Sequence, residues 1–367
     1  MQLLRVRVPN FRALKDVDIT FEKDFVPQIF PLGSLNGGGK STLLQLIFIL
    51  LHGSYVKQND EIMNYLENIF DYVTLSKDKS VKIATFDVLD DGEIITLEFE
   101  YYSSRNWDVF SPSESLRITD YNGNRLFCWA QKFNKNALAS FLKEFANKIF
   151  LAAPSSQIYL FLPSEDRKSL FEVDGNYNNA LEEAKKSLAG FFTYDTFSVA
   201  TLSGFFRTAW DKDIDEMVTT GKYGDHYSQM LHDINQIVVG KTIVPQLVNT
   251  SRGLRPLEKD LIDSIIFKTN DGTEIYPEDL SHGELKKLSI YAWLKANQIK
   301  DSIVLMDEIE NGFHPDWQFQ IVKELEAWEP SNQYILATHS YELCTAVTPP
   351  HVKHLKPPLR PKNNNSL

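Results

Sequence analysis

The chain has 367 residues, 43% of them hydrophobic, enough to bury the core of one large α/β domain or of two lobes. Its formal net charge of −11 excludes a nucleic-acid binder that works by bulk positive charge. The two cysteines, Cys128 and Cys344, stand far apart and outside any CxxC spacing, which excludes a disulfide framework and a zinc site.

The first residues lack a signal-peptide pattern and no apolar run approaches a membrane span, so a reducing cytoplasm is the expected setting and no membrane partner is expected. Residues 3–21 alternate around Asn10-Phe11-Arg12 and predict an opening hairpin, its second strand near Val17 to Phe21. Ile29 to Leu32 predicts a further strand, although Pro27 and Pro31 suit a central strand poorly. Ser41 to Leu51 is apolar on all sides and stops at Gly53, the pattern of a helix packed under a sheet. Between Val81 and Ala130 alternating strands with turns at Asp90-Asp91-Gly92 and Asn122-Gly123 predict an antiparallel lobe.

Helical spacing runs over Asn136 to Phe150 and Asn179 to Phe192, Ile158 to Leu162 reads as a strand with Gln157 ahead of it, and 165–260 reads as mostly helical. No sustained heptads occur, so long coiled-coil arms are not expected. From Ile265 a last hairpin turns at Asn270-Asp271-Gly272 and leads into Leu280-Ser281-His282-Gly283-Glu284 and a helix carrying Leu285, Leu288 and Ala292 on one side. Beyond Pro349 the basic residues His351, Lys353, His354, Lys356, Arg360 and Lys362 alternate with prolines and read as a solvated tail.

Four segments carry chemistry. Gly33-Ser34-Leu35-Asn36-Gly37-Gly38-Gly39-Lys40-Ser41-Thr42 opens directly into a helix, which is the form of a phosphate-binding loop. Glycines let backbone N–H groups curl round a phosphate, and the helix N-terminus adds partial positive charge. Lys40 would reach the β and γ phosphates and Ser41 would ligate Mg²⁺, so ATP with Mg²⁺ is the expected ligand of Asn36 to Thr42. Ser34 stands where the strict pattern has glycine, so either Ser34 takes the turn conformation or Gly33 absorbs it.

The second segment, Ile303-Val304-Leu305-Met306, ends in Asp307-Glu308, a buried strand delivering two acids. Asp307 would hold Mg²⁺, and Glu308 would orient or deprotonate the water that attacks the γ phosphate. In the third, another apolar strand, Tyr334 to Thr338, delivers His339 at the edge where open α/β sheets bind ligands, within reach of a γ phosphate. Ser281-His282-Gly283-Glu284, the fourth, reads either as a helix-start anion site or as a plain capping box made by Ser281 and Glu284.

These four segments in this order, with Asn10-Phe11-Arg12 at the start and Asp307-Glu308-Ile309-Glu310-Asn311-Gly312-Phe313-His314-Pro315 at the third, resemble the ABC-type ATPases of the SMC, RecF and OLD group. The resemblance covers roughly residues 1–53 and 265–345 and implies an α/β P-loop head with a mostly parallel central sheet. An antiparallel β lobe and a helical lobe would flank that sheet. It implies one head over 1–367: an N-terminal lobe over 1–164, a helical insert over 165–264, a lobe with signature, Walker B and switch histidine over 265–345, and a basic tail over 346–367.

Within the family Ser281 and Gly283 would form the signature motif that contacts nucleotide on a second subunit, so that ATP joins two copies. Arg12 would be the N-terminal arginine near the nucleotide, and Gln157 a Q-loop glutamine that serves the metal. His282 departs from the glycine of the commonest signature, as Ser34 departs from the P-loop pattern. The His314-Pro315 environment resembles OLD-like and phage-defence ATPases, and the arm-free layout that of Septu-like or retron-associated ATPase subunits. The end of the chain soon after His339 leaves no room for the nuclease of OLD-type proteins, so an effector nuclease would be a separate polypeptide.

The resulting expectation is an ATP-dependently dimerising ATPase that regulates a nuclease in phage defence, with nucleic acid met directly or through that partner. A RecF-like repair clamp that binds DNA itself and a non-hydrolysing ATP-bound scaffold are the alternatives.

Overall fold

The structure is a computed structural model, and it describes residues 1–53, 66, 73, 80–102, 115–121, 124–158, 160–162, 168, 177–188, 190–194, 199–245, 247–250, 253–256 and 265–355. Two compact units divide the chain: one takes the residues up to Phe192 and resumes at Lys300, the other spans Thr193–Ile299. This division puts Ser281 and Gly283 in one unit and the phosphate loop, Asp307 and His339 in the other.

The first unit begins with β1 (Gln2–Phe11), β2 (Leu14–Thr20), β3 (Ile29–Gly33), α1 (Lys40–Gly53), β4 (Ser80–Asp90), β5 (Glu93–Tyr102), β6 (Leu116–Tyr121), β7 (Asn124–Ala130), α2 (Lys135–Ala146), β8 (Ile149–Ala153), α3 (Tyr177–Ser187) and β9 (Phe191–Thr193). The second unit holds α4 (Val199–Thr220), α5 (His226–Ile237), β10 (Lys241–Pro245), β11 (Leu247–Thr250), β12 (Gly253–Pro256), β13 (Ile265–Thr269), β14 (Glu274–Ile275) and α6 (His282–Ala296). The first unit resumes with β15 (Ile303–Asp307), α7 (Pro315–Trp328), β16 (Gln333–Thr338), α8 (Tyr341–Thr345) and β17 (Lys353–His354).

Two sheets build the first unit. One is antiparallel, in the order β2-β1-β4-β5-β7-β6, and opens with the expected hairpin, Phe11 facing Leu14. The turn at Asp91 and Gly92, both with positive φ, joins β4 to β5, while the turn expected at Asn122-Gly123 lies outside the described residues. The other sheet runs β17-β3-β16-β15-β8-β9, and its pairs β17/β3, β3/β16, β16/β15 and β15/β8 are parallel. Every residue of β3, β15 and β16 is buried, as continuous apolar runs in a sheet covered on both faces must be. Helix α1 packs on β8, β15 and β16 and is buried around nearly its whole circumference, which explains why it shows no polar stripe. Gln333 ties the sheets together: its side chain accepts from the backbone N–H of Leu3 at 2.8 Å and donates to the Leu3 carbonyl at 2.9 Å.

Pro31 sits within β3 because β17 pairs only with Leu32 and Gly33, so at Pro31 the strand is laddered on the β16 side alone. The helical spacing read over Asn136 to Phe150 ends as a helix at Ala146, and Phe150 belongs to β8; the apolar run from Ile149 pairs with Ile303 to Met306 and tertiary pairing overrides the spacing. Likewise α3 ends at Ser187, and Phe191 starts a strand. The strand expected over Ile158 to Leu162 is not formed: the strand precedes Gln157, Pro154 starts a single 3₁₀ turn over Ser155–Gln157, and 160–162 turn away. The stretch read as mostly helical carries α3, α4 and α5 and then β10 to β12. The longest helix among the described residues has 22 residues, too short for a coiled-coil arm. The molecule is thus an α/β P-loop fold with a mostly parallel central sheet, an antiparallel lobe and further helices. Among the described residues no helix is long and apolar enough to cross a membrane.

Candidate active site

Parallel register places the site. Thr338 pairs with Gly33, and Asp307 with Ala337, so β3, β15 and β16 end together and release the phosphate loop, Glu308 and His339 at one edge of the sheet. There Asn36, Gly37, Gly38, Gly39, Lys40, Ser41, Thr42, Gln157, Glu308 and His339 line one cleft of about 550 Å³ together with Ala13. The sequence motifs account for all of these except Ala13, whose neighbour Arg12 is exposed at the β1–β2 turn with a φ of 53°.

Loop conformation explains the glycines. Gly37 and Gly39 have φ of 75° and 87°, a region that favours glycine, whereas Gly33 and Ser34 are not in it. Neither of the two ways of accommodating Ser34 is therefore needed: the turn is made downstream, and Ser34 is buried with its hydroxyl 3.2 Å from Lys40 Nζ. A Cβ on Gly39 would lie 2.7 Å from Leu14 Cδ2, so the β1–β2 hairpin packs directly against the loop.

Lys40 Nζ lies 2.9 Å from His339 Nε2 and 3.3 Å from the Ser34 carbonyl. An ammonium has only protons to give, so Nε2 is the accepting nitrogen. Burial holds the His339 pKa below its usual value, Lys40 pushes the same way, and Glu310 and Glu308 oppose it. Burial likewise lowers the Lys40 pKa, against the pull of Asp307, Glu310 and Glu308.

Ser41 Oγ donates to Asp307 Oδ1 at 3.1 Å, while Asp307 Oδ2 is buried and takes no hydrogen bond from the protein. Burial lifts the Asp307 pKa to about 7, with the Ser41 bond acting against it and Glu308 and Glu310 adding to it. A hydroxyl and a carboxylate oxygen side by side, one of them in need of positive charge, fit Mg²⁺, which takes one or two protein oxygens and completes its shell with water and phosphate. Among the described residues no group of three or more His, Cys, Asp or Glu side chains forms a fuller metal cage.

Glu308 sits in the left-handed region, φ 49°, with its N–H bonded to the Ala337 carbonyl at 2.9 Å. Both carboxylate oxygens are held: Gln157 Nε2 donates to Oε1 at 3.1 Å and Asn311 Nδ2 to Oε2 at 2.6 Å. Gln157 is itself clamped, its carbonyl accepting from Gln45 Nε2, and Gln45 Oε1 accepts from the Leu160 N–H at 3.0 Å. Sequence reading missed Gln45, Asn311 and the role of Gln157 toward Glu308; the one available signal was a polar Gln45 inside an otherwise apolar helix.

In the second unit Ser281 and His282 are exposed and Gly283 is buried. The capping box is formed: Ser281 Oγ accepts from the Glu284 N–H at 3.3 Å, the Ser281 N–H donates to Glu284 Oε2 at 3.0 Å, and Lys241 pairs with Glu284 Oε1.

The family described as "AAA domain, putative AbiEii toxin, Type IV TA system" matches residues 35–345, most of the chain. The chain is 49% identical over 103 residues to the "Retron Vc95 probable ATPase" of Vibrio cholerae serotype O1 biovar El Tor, covering 25% of this chain and 20% of that protein. It is 31% identical over 111 residues to the "Retron Ec83 probable ATPase" of Escherichia coli, covering 27% and 20%. Each match thus spans a fifth of the relative's length. Among solved structures, the SMC head domain from Thermotoga maritima is similar with a TM-score of 0.47 at 13% identity, over 95% of this chain and 92% of that one. The ABC-type kinship read from the motifs agrees with the family and with the retron ATPases.

Proposed function

Because this chain belongs to the AAA-domain family described as putative AbiEii toxin of type IV toxin–antitoxin systems, we propose that it is a cytoplasmic Mg²⁺-dependent ATPase that dimerises on ATP and regulates a separate effector nuclease in phage defence. The observation that carries the catalytic part is the convergence of Lys40, the Ser41–Asp307 pair, the doubly held Glu308 and His339 on one cleft. The retron relatives, named as probable ATPases, support the ATPase part of this reading.

In this reading the loop N–H groups of Asn36 to Thr42 and the α1 N-terminus hold the triphosphate, and Lys40 leaves His339 for its β and γ oxygens. Ser41 and Asp307 would hold Mg²⁺, which supplies charge neutralisation at the transferring phosphoryl group. Glu308 accepts the proton of the attacking water; Gln157 and Asn311 keep its carboxylate in one orientation. His339 then faces the γ phosphate as a hydrogen-bond donor. Exposed Ser281, with Gly283 beside it, would meet the nucleotide of a second copy, and Arg12 at its exposed turn would approach the nucleotide held in its own cleft, which Ala13 lines.

Glu308→Gln keeps the shape and removes the base. Phosphate release should fall at least ~100-fold, and size-exclusion chromatography with ATP should show a stable dimer. A variant that stays monomeric with ATP bound rules out the dimer; a wild type that binds ATP without releasing phosphate rules out hydrolysis.

A further inference from the structure

The acid that follows the Walker B pair by two positions, Glu310, has no part in the reading above, yet it is bonded to His339, which lines the cleft. Glu308 turns the chain with its positive φ, Ile309 goes into the core, and Glu310 turns back inward to become 6% exposed. Its Oε1 accepts from the backbone N–H of His339 at 2.6 Å. His339 Nε2 is in turn 2.9 Å from Lys40 Nζ, so one carboxylate links the turn after β15 to the end of β16 and, through the imidazole, to the phosphate loop. Ser340 N–H bonds Thr338 Oγ1 at 2.9 Å, which fixes the residues on both sides of His339.

The other oxygen, Oε2, is buried and takes no hydrogen bond from the protein. A half-satisfied buried carboxylate lowers stability, and Glu310 also stands close enough to Asp307 to raise its pKa by like charge. The titratable groups it acts on are Lys40, Asp307, His339 and the thiol of Cys344. The oxygen that does have a partner is bonded to the main chain of His339, which makes that residue what Glu310 orients. We infer that Glu310 is a positioning residue that sets where His339 stands relative to Lys40 and so aligns the histidine for the γ phosphate. It acts through a main-chain bond, so its effect passes through the His339 ring and vanishes when that ring is removed. This inference rests on the ATPase reading of the cleft for its kinetic consequence, but not for its geometric one.

The test compares full-length wild type with E310A, E310Q, E310D, H339A and the E310A/H339A double variant. Two readouts are used: steady-state phosphate release, and the imidazole C–H resonance of His339 in nucleotide-free, ¹³C-histidine-labelled protein, assigned by its loss in H339A. E310A should shift that resonance and lower kcat on the order of 10- to 100-fold, with KM changed less than about 3-fold, the scale of a small misplacement. E310Q still offers an oxygen to the His339 N–H; it should keep the resonance and roughly half of kcat, while E310D, too short to reach, should behave as E310A. The double variant should be no slower than H339A. The inference is overturned if E310A leaves the resonance in place, or if the double variant falls below H339A by the whole E310A factor. If wild type releases no phosphate, the ATPase reading fails and the resonance alone decides; if E310A does not fold, the contrast between E310D and E310Q decides.

Discussion

The substitution Asp307→Asn should stabilise the nucleotide-free protein, and only at neutral and alkaline pH. Asp307 is 1% exposed, and burial raises its pKa from 3.8 to about 7, so between those values the folded state holds a proton more tightly than the unfolded chain. Stability therefore declines as pH rises through this window and is lowest above it, the reverse of a salt-bridged carboxylate. The span corresponds to roughly 4 kcal/mol as an upper bound. The variant's carboxamide would keep the bond from Ser41 through its own oxygen but place an NH₂ group where Oδ2 now lacks a partner, which trims the gain to roughly 2 kcal/mol. For a unit of this size that is a rise in Tm of roughly 5 °C. The assay is thermal unfolding in EDTA at pH 5, 6, 7 and 8, with the gain present at pH 8 and mostly gone at pH 5. Adding ATP and Mg²⁺ should reverse the order, because wild type gains binding free energy that the variant lacks. A gain equal at pH 5 and pH 8, or none at pH 8, would refute the account of Asp307 as a buried carboxylate awaiting a cation.

Gly37→Ala and Gly39→Ala should part company: at Gly37 nothing lies within 4 Å of the new Cβ and only about 1 kcal/mol of backbone strain follows, whereas at Gly39 the Cβ meets Leu14 Cδ2 at 2.7 Å. Thermal melts should show the larger loss for Gly39→Ala, and equilibrium binding of a fluorescent ATP analogue should survive only in Gly37→Ala. Gln157→Ala removes the bond to Glu308 Oε1, so phosphate release should drop about 10-fold while nucleotide affinity holds; an affinity loss instead would make Gln157 chiefly a metal or nucleotide ligand. Ser281→Ala removes the cap of α6 at a cost of about 1 kcal/mol. Turnover and ATP-dependent dimerisation should fall well beyond what that change explains; a melt shifted with both retained would leave Ser281 a capping residue only.

Local signals named most of the residues that line the cleft. The glycine spacing before Lys40, the apolar run ending at Asp307 and the run ending at Thr338 each state their chemistry within a few contiguous residues, because strand burial and loop conformation are set by side chains in immediate succession. The helix boundaries at Ala146 and Ser187 were less legible, since the apolar residues beyond them serve a strand as well as a helix until a partner strand decides. Ser34 reads as a strained position because the loop pattern is a rule about residues, while the conformation it stands for lies at Gly37 and Gly39.

By itself, then, the order of amino acids determined most of the segments that line the cleft and that they belong to an α/β P-loop fold. Tertiary structure alone decided who meets whom: Gln45 with Gln157, Gln157 with Glu308, Glu310 with His339, and His339 with Lys40. The reason is physical. Periodicity records whether a residue faces the core, but partners far apart in sequence are matched by parallel register, which brings the ends of β3, β15 and β16 to one edge only once the sheet exists.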